Sequence, residues 1–170
     1  MKKNAELSNK ISELVQALAA GDAVVREQSR TELVQLGGPD VTRELVTALI
    51  DPRRHIRWEA AKALQEIADP VSAPALMHAM DDEDEDVRWV AAEGLVALGK
   101  VGLMTVLSGL IKRAGSIDFC KSAHHVLNKM KAYEGRVAPV LEALEQLEPA
   151  VGSPPAAYRV LLTLNDVPAA

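Results

Sequence analysis

The stretch Ile56-Arg57-Trp58-Glu59-Ala60-Ala61-Lys62-Ala63-Leu64-Gln65-Glu66-Ile67 recurs 31 residues later as Val87-Arg88-Trp89-Val90-Ala91-Ala92-Glu93-Gly94-Leu95-Val96-Ala97-Leu98. Working outward at the same interval, Val25-Arg26 precedes both copies. Leu33, Leu64, Leu95 and Val126 form one apolar column, and Leu36, Ile67 and Leu98 a second. Another pair keeps the register: Leu14, Leu45, Leu76 and Leu107, then Leu18, Leu49, Met80 and Ile111. Each set has helical spacing, so one period holds two helices. A unit this short cannot bury its apolar face alone and must be covered by its neighbours. The pattern predicts an all-α fold, a right-handed α-solenoid of about five stacked antiparallel helix pairs. Its units fall at about 5–38, 39–69, 70–100, 101–131 and 136–166, in a single domain over 1–170.

Gly21-Asp22, Gly37-Gly38-Pro39, Asp51-Pro52, Pro70 and Gly99 punctuate these units, as helix stops and first-turn residues should. The first helix is expected over Ala5–Ala20. The fourth unit departs from the pattern. Asp118 and Phe119 fall in the slots of Val87 and Arg88, and Lys129 in that of Leu98. A one-residue slip would restore Ile117, Leu127 and Met130 to the core. In the fifth unit, Tyr133-Glu134-Gly135 adds about three residues before Ala138-Pro139-Val140-Leu141, which echoes Ala73-Pro74-Ala75-Leu76. A short last helix is expected around Ala157–Leu164.

Aromatic residues make up only 3% of the chain, and the single cysteine excludes an internal disulfide. No run approaches the roughly 18 apolar residues of a membrane helix. Met1-Lys2-Lys3-Asn4 is followed by an amphipathic stretch with Glu6 and Glu13, not an apolar signal core. A cytoplasmic protein is expected. Seven acids stand against two bases within 70–100, an excess equal to the whole net charge of −5. That balance argues against a partner made of nucleic acid, which calls for a basic stripe.

Asp51…Ile56-Arg57…Ala60-Ala61…Leu64…Ile67 and Asp82…Val87-Arg88…Ala91-Ala92…Leu95…Leu98 share an Asp six residues before an Arg, then a small-small, apolar helix. In this the chain resembles HEAT-like repeats, specifically the short repeats of phycobilisome-lyase-type proteins. The likeness covers about 130 residues. It implies that Asp51, Arg57, Asp82 and Arg88 pair between turn and helix, forming a structural ladder across neighbouring units, with Arg26 at its open end. It also implies a scaffold that binds proteins, or alternatively a bilin lyase-type or other enzyme subunit. HEAT-like iron hydroxylases carry paired His-Glu motifs, and every His here is followed by Ile, Ala, His or Val. HEAT-like DNA glycosylases use a basic concave face, whose basic excess is missing here.

Trp58 and Trp89 occupy the same repeat position, turned from the main core. On second helices lining a concave side, they form either a binding stripe or filler between units. Arg54, Lys62 and Glu93 would surround them with polar groups. The run Asp81–Asp86 lacks the glycine and terminal Glu of a calcium loop. Register instead pairs Asp84 with Arg53, Glu85 with Arg54, Asp81 with Lys112 and Asp82 with Arg113. Cys120 and His124 share a helix face, but neither a third metal ligand nor a group to orient a nucleophile can be named. The sequence therefore predicts no catalytic residue, metal or cofactor. It predicts a non-catalytic module holding a protein or peptide, with basic residues in the partner favoured.

Overall fold

The computed structural model describes residues 2–165, which places Met1 and Asp166, the last residue assigned to unit five, outside the described residues. Among the described residues, ten α-helices run in order: α1 Lys2–Ala17, α2 Ala23–Leu36, α3 Gly38–Ala48, α4 Arg54–Ile67, α5 Ala73–Ala79, α6 Glu85–Ala97, α7 Lys100–Arg113, α8 Ile117–Met130, α9 Ala138–Leu144 and α10 Pro149–Asn165. No strand occurs among the described residues. The second helices α2, α4, α6 and α8 pack in sequence, each on the next. The first helices form the other row, with α1 on α3 and α5 on α7. Pro70–Ser72 forms a 3-10 turn leading into α5.

The columns become the core. Leu18, Leu33, Leu45, Leu64, Leu76, Met80, Leu95 and Leu107 are all fully buried. Their caps repeat too. Asp22 accepts a hydrogen bond from the Val24 amide, and Asp84 accepts from the Asp86 and Val87 amides, filling donors that the first turn leaves open. Gly37, Ala68 and Gly99 share one repeat position, and all three have positive φ, of 55°, 51° and 57°; Ala68, with ψ of 38°, is the left-handed helical one, whereas the glycines have ψ of −163° and −126°. Ala68 keeps a Cβ where its two counterparts have none.

Unit four does slip, though not as expected. α3 and α5 end in C-caps at Leu49 and Met80, whereas α7 continues to a C-cap at Ala114. The next N-caps are Arg53, Asp84 and Ser116. One added helical turn and a loop shortened by two residues shift everything after it by one. Phe119 then takes the Val87 slot, and Phe119, Leu127 and Met130 are buried. Ile117, expected in the core, is 73% exposed because it precedes the first inward position of α8. Ile111 likewise lies on the outer side of the extra turn, and Leu110 is buried in its place.

The fifth pair is not a further copy. α9 lies against α8, and α10 packs mainly on α7, so the order of first and second helix is exchanged. α10 is also longer than the helix expected at Ala157–Leu164, running through Pro154 and Pro155. Gly102, in the first turn of α7, lies hard against α6. A Cβ there would stand 1.9 Å from the Leu95 carbonyl oxygen of α6.

Gly102→Ala is therefore expected to destabilise by roughly 3 kcal/mol, because backbone must move to admit the methyl. Ala68→Gly should act oppositely, gaining about 0.5–1 kcal/mol as relief of left-handed strain exceeds the added freedom of the unfolded chain. Urea titration of both variants checks the pair; a less stable Ala68→Gly protein would mean that the methyl's packing outweighs the strain.

Candidate functional site

The three repeat arginines act first on their own turns. The Nη1 of Arg26 donates to the Ala20 and Gly21 carbonyls, that of Arg57 to Asp51 and Pro52, and that of Arg88 to Asp82 and Glu83. The carboxylate partner lies in the next unit, not within the same one. Arg57 meets Asp82 through two parallel bonds, Nε to Oδ2 at 2.8 Å and Nη2 to Oδ1 at 2.9 Å. Arg57 is 6% exposed, and the Asp82 carboxylate holds its pKa above the ordinary arginine value. The Asp51 carboxylate serves its own turn, accepting from the amide and guanidinium of Arg53, which holds its pKa below the usual carboxylate range. Arg88 reaches only to 3.8 Å from Asp118. At the open end, Arg26 lies 3.4 Å from Glu59.

Glu59 was not anticipated as a partner. It is 5% exposed, bonded to Arg30 at 2.5 Å and flanked by Arg26, so ions fill the seam between units one and two. The signal available was the i, i+4 arginine pair with an acid about one period downstream.

Trp58 and Trp89 border the same open depression of about 390 Å³. Lys62 and Gln65 come to it from α4, Asp86 and Glu93 from α6, and Lys129 from α8. Arg54 is not among its lining groups; it pairs with Asp84 and Asp86 at the adjoining edge. Trp58 is partly buried against the core, with the Arg30 guanidinium 5.7 Å from its ring centroid. Trp89 is 54% exposed and meets the His125 ring at 4.1 Å, tilted by 42°. His125 Nε2 contacts Glu93 at 2.5 Å, and Lys129 lies 3.7 Å from the same carboxylate. Trp58 thus combines packing with lining, while Trp89 stands out as the ridge between this depression and a second one beside Lys121 and His125.

The acidic loop is neutralised by its neighbours, through partners other than those the register suggested. Arg54 takes Asp84 and Asp86, Arg57 takes Asp82 and Glu83, and Arg113 takes Asp81 at 3.2 Å. Arg53 is occupied by Asp51. Burial pushes the Asp84 carboxyl up, but the Val87 amide and Arg54 outweigh it and hold the group below its ordinary pKa. Cys120 is buried and donates to the Ala114 carbonyl at 3.3 Å. Burial, then the Asp81 charge, push its thiol up, so the nucleophilic thiolate is disfavoured at neutral pH. His124 faces Glu145 at 3.1 Å. Among the described residues, no group of three His, Cys, Asp or Glu side chains is arranged to hold a metal, and no helix is long and apolar enough to cross a membrane.

Arg57→Lys should lower stability by about 2 kcal/mol, since an ammonium cannot span the Asp82 carboxylate and the turn carbonyls together. Arg53→Ala, removing an exposed, solvent-screened pair, should cost clearly less than Arg57→Lys. Equal losses in chemical denaturation would show that burial does not set the worth of these contacts.

A comparison with solved structures finds the crystal structure of an engineered protein, 16% identical, covering 88% of this chain and 77% of that one with a TM-score of 0.41. No curated protein matches the chain. The family model for HEAT repeats matches residues 11–96, just over half of the chain, and stops before the slipped fourth unit. With its paired helices, its repeated turn-closing arginines and that match, the chain belongs to the HEAT repeat family.

Proposed function

We propose that this protein is a non-catalytic cytoplasmic scaffold that holds a protein or peptide segment on the face of its second helices. The observation that carries this reading is the shared depression of Trp58 and Trp89, where two large indoles meet Lys62 and Glu93 on adjacent units. Exposed tryptophan is a favoured anchor, because it buries much area with few rotatable bonds and keeps a hydrogen-bond donor. Both rings are held by neighbours, Trp58 by the core and Arg30 and Trp89 by His125, so little side-chain freedom remains to be lost on binding. The repeat subclass we propose is the short lyase-type one, on the Asp-to-Arg spacing and the 31-residue period. We also propose a partner with basic residues, attracted mainly by the exposed Glu85, since the other acids of the loop are matched internally or turned to capping.

Affinity capture from a lysate of the source cell, run with wild type and with Trp89→Ala and Trp58→Ala/Trp89→Ala, tests this after circular dichroism has shown matching helicity. A protein recovered by wild type and depleted about tenfold with Trp89→Ala supports the reading. Equal recovery by all three would move the site away from the indoles.

A further inference from the structure

The last helix, α10, is apolar on two opposite faces. Ser153, Ala157, Val160 and Leu164 are buried on the side that packs on α7 and α9. Two residues before each of them, about 200° round the helix, stand Val151, Pro155, Tyr158 and Leu162. Pro155 is exposed, Val151, Tyr158 and Leu162 are 68%, 55% and 46% exposed, and Leu147, just before the helix, is bare. Arg159 is the one charged residue among the 17 of α10. A helix apolar all round is ordinarily a covered one. The opposite end of the stack is built differently. Away from its buried Ile11 and Leu18, α1 presents Glu6, Asn9, Glu13 and Gln16, the polar face that a terminal unit turns to water.

We infer that this outer face of α10 is a contact between two copies of the chain, helix against helix, antiparallel about a two-fold axis beside Pro154-Pro155. The stripe is complementary to itself when read backwards. Leu147 meets the partner's Leu162, Val151 meets the partner's Tyr158, and Pro155 lies at the axis, so every apolar position finds an apolar one. The charges agree with that register. Glu148 and Arg159 are exposed and flank the stripe on one side; Glu145 of the same turn takes His124, whereas neither Glu148 nor Arg159 joins an ion pair among the described residues. Antiparallel pairing brings Glu148 within two residues of the partner's Arg159, roughly 3 Å along the axis, and the two-fold does so twice. Joining α10 to the far end of another copy would instead bury Glu6 and Glu13 against apolar side chains. The contact therefore closes as a dimer and does not extend into a filament. Five side chains so exposed make an apolar patch of a few hundred Å², the size that marks an interface on a monomer. Two copies cover on the order of 1,000 Å², near the lower limit for a specific contact, which sets the dimer in the micromolar range. α10 contributes no residue to the depression of Trp58 and Trp89, so this inference stands apart from the function proposed for it.

Sedimentation equilibrium of the full chain at concentrations from about 1 to 300 µM, a span that brackets the affinity of so small a contact, tests this. The expected result is a mass that rises from the 18.3 kDa of one chain to twice that value and stops there. Val151→Glu/Leu162→Glu, both at exposed positions, should keep the helical circular dichroism and weaken the dimer at least tenfold. Glu148→Arg and Arg159→Glu each place like charges together and should weaken it severalfold, while the double exchange Glu148→Arg/Arg159→Glu restores it. A monomer at every concentration overturns the inference and gives the face to some other occupant. Growth beyond the dimer overturns it as well, since the joint would then not close. A dimer indifferent to the Glu substitutions is formed elsewhere on the chain. One that responds to them but is not restored by the double exchange lacks the antiparallel two-fold arrangement, and either result overturns the inference.

Discussion

The guanidinium of Arg57 is the constraint on which the central part of this stack depends. With one edge it closes the turn Asp51-Pro52 that precedes its own helix, and with the other it grips Asp82 of the next turn. One buried group thereby fixes the angle between two helices and the register between two units. Desolvating such a charge is costly, and its bonds must be complete for the arrangement to be favourable. Here they are: two carbonyls, two oxygens of one carboxylate and Glu83 at the rim. The spacing of Trp58 from Trp89 follows from this, since each follows its unit's arginine directly.

Much of this was legible because it recurs. Columns of apolar residues at 31-residue intervals identify helix pairs without any knowledge of partners, and the buried leucines fall where the columns lie. What could not be read was what happens once per molecule. The one-residue slip in unit four was visible in Lys129 and Met130, but its cause, an extra turn of α7, decides that Phe119 and not Ile117 goes inward. The crossing of α9 and α10 left no periodic trace, because an echo such as Ala138-Pro139-Val140-Leu141 reports helix formation and says nothing of which neighbour is met. The site was legible in part. Trp58, Trp89, Lys62 and Glu93 do border one depression, whereas Arg54 belongs to its edge. Which carboxylate each arginine takes depends on side-chain reach, and the Arg53–Asp51 contact within one turn displaced the pairings that register alone suggested.

Charge alternates across the second-helix face in a manner that suits a stack. α4 offers Arg54 and Lys62, α6 offers Glu85, Asp86 and Glu93, and α8 offers Lys121, His125 and Lys129. Neighbours meet with opposite sign, and several of these groups pair across the seam. Exposed pairs of this kind contribute little stability. Their larger effect is to leave a face of nearly balanced charge, on which aromatic surface is the distinguishing feature.

The exchanged positions of α9 and α10 change the surface that the last pair presents. A repeat stack presents the same face at its end as at every internal seam, and so invites another copy to join. Here α10 lies where a first helix would begin the next layer, resting on α7, and α9 sits beside α8. An added unit would find its two docking rows interchanged. A partner that packs on this end therefore meets a surface unlike any internal seam, with the helix rows in traded places.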